Sequence, residues 1–415
     1  MKSPCCIDSS SSQKSDIEIA DIFREHGQQY LWNNSASPAQ VGVMNQIMTC
    51  RTAAQGGHMD FCDSCGHSQN SYNSCRNRHC PKCQTMAKER WLNDRKAELL
   101  PVAYFHLVFT LPHDLNPLIL CNMKVLLDLL FFSVNQVIKT FAADPQWRLE
   151  GNPGFIGVLH TWTQTMMDHF HLHCLVPGGV LSDDKDQWTS SKSNFLFRTE
   201  SLMLAFKNIY IKGLKELKKE GKLQFPGNTA KYEDDIEFDR LIKKIAKKKW
   251  SGYAKAPFSG PEKVLEYLSR YTHRVTISNY RIKSMQDGKV TFTWKDRADE
   301  NKTKLMTLDV EEFIRRFLLH VLPKGFRKIR YFGFLSPRYK SENIKIIRKL
   351  MNDDPEKYAV PEDESLEEMM LRLTGINIRQ CPKCDKGRMV PIYELLPKHY
   401  DYIVPNNKKG NCNTS

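Results

Sequence analysis

Aromatic and β-branched residues crowd the stretch "AYFHLVFTLP" (Ala103 to Pro112), and the pattern predicts a strand there. A long helical periodicity follows from Pro117 to about Ala142, and then "GFIGVLHTWTQ" and "HFHLHCLVPGG", both extended. In the last of these, His169, His171 and His173 alternate with Phe170, Leu172, Cys174 and Val176. A strand presents alternate residues to opposite faces, so the apolar set packs on a core and the histidines share the other face. In the first strand His106 shares a face with Tyr104, Val108 and Thr110, opposite Phe105, Leu107 and Phe109.

Helical patterning returns between Glu200 and Trp250, where it includes the basic run "IKKIAKKKW". Ser259 and Glu262 fit a capping box, with Pro261 in the first turn, so a helix should begin there and carry Tyr267 and Tyr271 one turn apart. Beyond it, two β-branched, aromatic runs flank Asp287-Gly288, a hairpin signal, and Val310 to Leu322 is helical again. At the front of the chain, residues 16–50 read as two short helices, and the Ser-rich residues 1–15 have the composition of a disordered segment. The expected organisation is a helical lead-in and zinc-binding unit over 16–95, a main domain over 100–345, and a linker with a CxxC-bearing tail over 346–415.

Composition narrows the partner. Lys and Arg exceed Asp and Glu by 61 to 47, a net +14 over 415 residues, which suits a polyanion such as DNA better than an acidic small molecule. The N-terminus has no apolar signal core, and the run "LILCNMKVLLDLLFF" is broken by Asn122, Lys124 and Asp128. No membrane span is expected. The cysteines sit in CxxC pairs and beside histidines, the habit of a reducing compartment that uses thiolates for metal, so a cytoplasmic address is expected.

Cys62-x2-Cys65 and Cys80-x2-Cys83, 14 residues apart, are spaced as the two knuckles of one four-thiolate zinc site. Cys50, His58, Cys75 and His79 then remain for a second tetrahedral site, with His67 a spare candidate. Such sites are closed and structural. Arg76, Arg78 and Lys82, interleaved among these ligands, are candidate phosphate contacts. The tail pair Cys381 and Cys384 has only His399 and Cys412 after it, so it makes half of a zinc site or a whole one.

On the histidine strand, His171 and His173 with one apolar residue between them form a cation-binding pair, and His169 and His106 compete as third ligand. Tyr267 and Tyr271 project from one helical face, and Arg270 and Arg274 beside them can hold phosphate and ease ionisation of a phenol. A metal pair, a tyrosine pair and a basic surface specify one reaction. The phenol oxygen attacks a DNA phosphodiester while the metal polarises the phosphate, giving a phosphotyrosine and a free 3′-hydroxyl.

"FHLVFTLP", "HFHLHCLVPGG" and "YLSRYTHRVTIS", in this order behind "SYNSCRNRHCPKC", resemble the two-tyrosine HUH rolling-circle transposases of the insertion-sequence-ninety-one family, over roughly residues 40–340. The resemblance implies an α+β fold: an antiparallel-sheet HUH nuclease core backed by helices and preceded by a small zinc-binding domain. By position it makes His171 and His173 the HUH ligands, Tyr267 and Tyr271 the paired nucleophiles, and Mg²⁺ or Mn²⁺ the catalytic ion beside structural Zn²⁺. The family's proline between the first two histidines is replaced by Phe170, outside the HUH triplet. The implied substrate is single-stranded or hairpin DNA at element ends. Because no Walker motif is present, strand separation would fall to a host helicase. A replication initiator with the same nicking chemistry, or a non-catalytic zinc-ribbon DNA-binding protein, are the alternatives.

Overall fold

The structure is a computed structural model that describes residues 17–192, 196–255, 263–264, 272–354 and 364–405. Tyr267, Tyr271 and Arg270, the Ser259/Glu262 capping box, Cys412 and residues 1–15 therefore lie outside the described residues.

Two helices open the chain, α1 (Ile19–Asn33) and α2 (Pro38–Thr49). The second begins at a reciprocal capping box formed by Ser37 and Gln40, and Pro38 supplies the preset first-turn backbone. The cysteine block follows as a small hairpin, β1 (Gly57–Cys62) and β2 (Ser68–Tyr72), and then α3 (Pro81–Lys96).

A central sheet is built next, from β3 (Tyr104–Thr110), β5 (Phe155–Trp162), β6 (Asp168–Pro177), β9 (Gly252–Lys255) and β13 (Ile329–Phe332). Its order is β13-β5-β6-β3-β9, and every neighbouring pair is antiparallel. Between β3 and β5 run α4 (Asn116–Cys121), α5 (Met123–Ala143) and the short β4 (Asn152–Pro153), which pairs with β7 (Gly179–Leu181) and, through it, β8 (Trp188–Ser190). Helices α6 (Thr199–Lys219) and α7 (Asp235–Lys247) precede β9.

One face of the sheet is apolar and covered. Phe105, Leu107 and Phe109 of β3 and Phe170, Leu172 and Cys174 of β6 join Leu130, Val134, Phe206 and Leu241 of the helices in a single buried cluster. Each fully buried aromatic or aliphatic side chain there contributes roughly 1.5–3 kcal/mol. Helix α5 is apolar and long enough to cross a membrane, yet more than half of its most apolar window is buried in this core. The register pairs Val108 with His173 and Thr110 with His171, so the histidines fall on the opposite face.

A second antiparallel sheet, β10 (Ile282–Gln286), β11 (Lys289–Asp296) and β12 (Lys302–Asp309), leads into α8 (Val310–Leu318). The expected hairpin closes through Asp287 at φ 51° and Gly288 at φ 69°, the left-handed pair that a two-residue hairpin turn demands. Helix α9 (Lys340–Leu350) covers the far end of the central sheet through Ile344 and Ile347. The chain finishes with α10 (Leu366–Thr374) and β14 (Met389–Leu395).

Two boundaries differ from the expected organisation. Helices α1 and α2 do not form a core with the cysteine block alone: Phe23 and Met44 share one buried cluster with Ile282, Phe292, Phe313 and Phe317. Phe23 meets Phe317 edge-on at 5.3 Å between ring centroids. The tail does not trail away either, because β14 hydrogen-bonds along β1 and completes the order β14-β1-β2. Neither arrangement is encoded in local periodicity, since both depend on partners several hundred residues away.

Candidate functional site

The histidine face of the central sheet is the first site. His160 on β5 stands opposite His171 on β6 in the ladder, and His173 lies two residues further along the same face. The candidate ligand nitrogens of His160, His171 and His173 lie within 4.8 Å of one another, near enough to share one cation. The third member is thus His160, in place of His169 or His106. His169 stacks on His113 with ring centroids 5.3 Å apart. His106 instead puts Nε2 2.9 Å from Nδ1 of His173. A strand pattern reveals which residues share a face, but it does not say which neighbouring strand faces them; the one signal for His160 was its place in the extended "GVLHTW" run.

Hydrogen bonds set the ring orientations. Nδ1 of His171 donates to the carbonyl oxygen of His169 at 2.8 Å, which leaves Nε2 with the lone pair. Nδ1 of His173 faces His106, so Nε2 is its nitrogen for a metal. Burial, with the neighbouring imidazoles, pushes His171 down to about 3 and His173 well below the ordinary histidine value. Both are therefore neutral at physiological pH, the form that binds metal.

The cluster opens on a cavity of about 460 Å³. Trp162, Tyr253 and Trp294 supply aromatic surface to its wall, and Arg274, Lys295 and Arg297 supply positive charge. Of these, only Arg274 was singled out from the sequence, and it stands on the wall three residues after Tyr271. The rest are brought in by topology. The β11 end overhangs the central sheet, and the loop after β5 is tied to it by Arg281, which donates to the carbonyls of Thr293 and Gln164.

The cysteines group otherwise than expected. Cys80 and Cys83 join Cys50 and Cys75, with Sγ–Sγ separations of 3.6 Å for Cys50–Cys83, 3.7 Å for Cys75–Cys83 and 3.6 Å for Cys50–Cys80. Cys62 and Cys65 join Cys381 and Cys384 of the tail. The expected set of Cys62, Cys65, Cys80 and Cys83 is not assembled, because β1 carries its CxxC turn to the sheet end where the tail arrives. Neither His58 nor His79 belongs to a cluster. His58 is exposed beside Asp60 at 3.4 Å, and His79, its Nε2 buried, lines a small cavity with Arg274, His320 and Lys328. Burial holds His79 down at about 3. His67 contributes only its backbone oxygen, to the amide of Cys62 at 2.8 Å.

The basic residues of this block divide as well. Arg78 spends its guanidinium on the carbonyls of Phe326, Leu322 and Pro323, and Lys82 pairs with Glu18. Both fasten the cysteine block to its neighbours, and Arg76 alone of the three is exposed.

Residues 154–343 match the family model described as "putative transposase", and residues 22–111 match a transposase zinc-binding domain. The chain is 44% identical over 383 residues to "putative transposase y4qJ" of Sinorhizobium fredii, across 91% of this chain and 96% of that one. It is 29% identical over 306 residues to the transposase for insertion sequence element IS801 of Pseudomonas savastanoi pv. phaseolicola, across 72% of this chain and 71% of the relative. No solved structure matches it.

Proposed function

For a chain that belongs to the insertion-sequence-ninety-one family of transposases, with the family's N-terminal zinc-binding domain, we propose a metal-dependent nuclease and strand transferase for single-stranded DNA, built on an HUH-type sheet. The observation that carries this reading is the trio His160, His171 and His173 at the floor of a cavity walled by aromatic rings and cations. Aromatic side chains stack exposed bases, and arginines and lysines follow the backbone, the combination that takes an unpaired strand. Three imidazoles fit a borderline divalent cation and suit Mn²⁺ better than Mg²⁺, which prefers oxygen ligands. When bound, the cation would polarise a phosphate oxygen and stabilise the charge that develops on it.

The chain's own residues do the rest. Tyr267 and Tyr271 are the nucleophiles in this reading, supported by Arg274, which lines the cavity a short way along the chain from them. The phenol oxygen bonds to phosphorus, and the bond from phosphorus to the 3′-oxygen breaks. The proton lost by the phenol is balanced by the one that the 3′-hydroxyl gains. Arg274 orients the phosphate and favours the phenolate. Phosphodiester energy is kept in the phosphotyrosine, so transfer to a second end needs no nucleotide. Unwinding is left to a host helicase.

The test is a denaturing gel with labelled single-stranded element ends and Mn²⁺, followed by peptide mapping of the adduct. Tyr267→Phe/Tyr271→Phe should form none, and each single variant should complete at most one of two cleavages. Tyr253 is the informative rival, since it lines the same cavity. An adduct mapped to Tyr253, or surviving in the double variant, would overturn the nucleophile assignment. Binding without any nick would favour a DNA-binding protein without catalysis.

A further inference from the structure

Cys381 and Cys384 lie far beyond residue 111, where the zinc-binding match ends, yet they sit against Cys62 and Cys65. The Sγ atoms of Cys62 and Cys384 are 3.7 Å apart, and those of Cys65 and Cys381 are also 3.7 Å apart. Zinc–sulfur bonds of about 2.3 Å in a tetrahedron require edges of about 3.8 Å. A disulfide would need about 2 Å, so these are four separate thiols held at metal spacing.

The surroundings are built for thiolates. The two CxxC turns repeat one backbone pattern. The amide two residues after the first cysteine points at its sulfur, Ser64 to Cys62 and Lys383 to Cys381, each at 3.4 Å. The amide of Cys65 also points at Cys62 Sγ at 3.4 Å, and that of Gly387 at Cys384 Sγ at 3.3 Å. Each turn is closed by an amide bonding back to the first cysteine's oxygen, Gly66 to Cys62 and Asp385 to Cys381. A side chain at Gly387 would collide with Cys62 Sγ, which explains a glycine there. Asp63 then joins the two turns, its amide donating to the Arg388 oxygen at 3.1 Å and its carboxylate accepting from the Arg388 amide at 2.8 Å.

The tail is held at further points of the same unit. Gln28 exchanges both its amide groups with the backbone of Val404 at 3.1 Å, and Asn45 does the same with Ile403 at 3.0 Å. Ile403 is buried in the core of α1 and α2.

We infer that Cys62, Cys65, Cys381 and Cys384 form a second tetrathiolate zinc site, which clasps the C-terminal tail onto the N-terminal module. It is separate from the Cys50, Cys75, Cys80 and Cys83 cluster, and its partners are 322 and 316 residues apart in sequence, where Cys50 and Cys83 are 33 apart. The zinc displaces the four thiol protons, and the ribbon of β1, β2 and β14 is fixed from both chain ends. This assignment is independent of the chemistry proposed for the histidines, and its test does not use DNA cleavage.

A mercurial titration of the full-length protein releases zinc held by thiolates, which a metallochromic dye counts. Wild type should release two zinc ions per chain, and Cys381→Ser/Cys384→Ser one. A wild-type count of one, a count of two in the variant, or iron in place of zinc by elemental analysis would overturn the assignment. Should the variant fail to fold, maleimide labelling of the wild type decides. Cys65 is solvent-exposed, so it should resist labelling until a chelator is added. Labelling of Cys65 in untreated protein at the rate of denatured protein overturns the site.

Discussion

The histidine site and the cysteine clusters are both metal-type groupings, but they are made in opposite ways. Two of the three histidines lie on one strand and the third on its hydrogen-bonded neighbour, so the sheet itself fixes their spacing. The cysteines lie at turns and helix starts: no ladder joins Cys50 with Cys83, and the β1–β14 ladder ends at Cys62, short of Cys384. The histidine group also opens on a cavity, whereas Cys50, Cys80 and Cys83 are buried in a core beneath α1 and α2. A site preorganised by a sheet can leave coordination positions open to a substrate. A site that must itself hold loops together fills all of them.

The largest effect should come from the open site. His160→Ala, His171→Ala and His173→Ala each remove one of three ligands and should lower the nicking rate by more than ~100-fold, with binding to single-stranded DNA kept. His106→Ala removes only the partner of Nδ1 on His173 and should cost roughly 10–100-fold, chiefly by weakening metal affinity. Rates against Mn²⁺ concentration separate the two cases. A His169→Ala variant more impaired than His160→Ala would restore His169 as the third ligand.

Next in size is the closed site. Cys50→Ser should release its zinc and destabilise the protein by more than about 3 kcal/mol, since loss of a structural metal is among the large-effect mechanisms. Its melting transition should include α8, because Cys50 shares a core with Phe313 and Phe317. His79→Gln should keep both zinc ions, for His79 is in neither cluster. Retention of zinc by Cys50→Ser together with its loss from His79→Gln would reinstate a mixed cysteine-histidine site.

The same contrast explains what could be read from the sequence. Strand alternation placed His171 and His173 on one face and Phe170, Leu172 and Cys174 on the other, because a period of two is a local property. The Asp287-Gly288 hairpin was equally local. His160 needed the strand order β5-β6, and the wall residues Trp294 and Arg297 needed the placing of a second sheet. Cysteine spacing announced zinc but misassigned the partners. Two CxxC pairs 14 residues apart satisfy the one-site pattern, and only the return of β14 to β1 shows that each pair is completed elsewhere.

The smallest expected effect lies near the open site and distinguishes the buried imidazoles proposed as ligands from one that is framework. His320 is 1% exposed, with Nε2 3.0 Å from the Met166 oxygen and Nδ1 3.1 Å from Thr161 Oγ1. A carbonyl only accepts, so Nε2 carries the proton and Nδ1 accepts from the hydroxyl: the ring is satisfied while neutral. Burial lowers its pKa to about 4, against an unfolded value near 6.5. Between these values the unfolded chain binds more protons than the folded one. Stability is therefore full above about pH 6.5, falls as the pH drops, and stops falling on this account below about 4, where the folded ring also protonates. The span is on the order of 3 kcal/mol. His320→Gln keeps a donor for Met166 but cannot titrate, so urea midpoints measured from pH 7 to 4.5 should fall less steeply than in wild type. His79 and His273, also held low by burial, remain in both proteins and cancel in the difference, as does acid release of zinc. Parallel curves for the two proteins would mean that His320 accepts its proton without cost, and that the loop carrying Met166 yields where the sheet beneath the histidine trio does not.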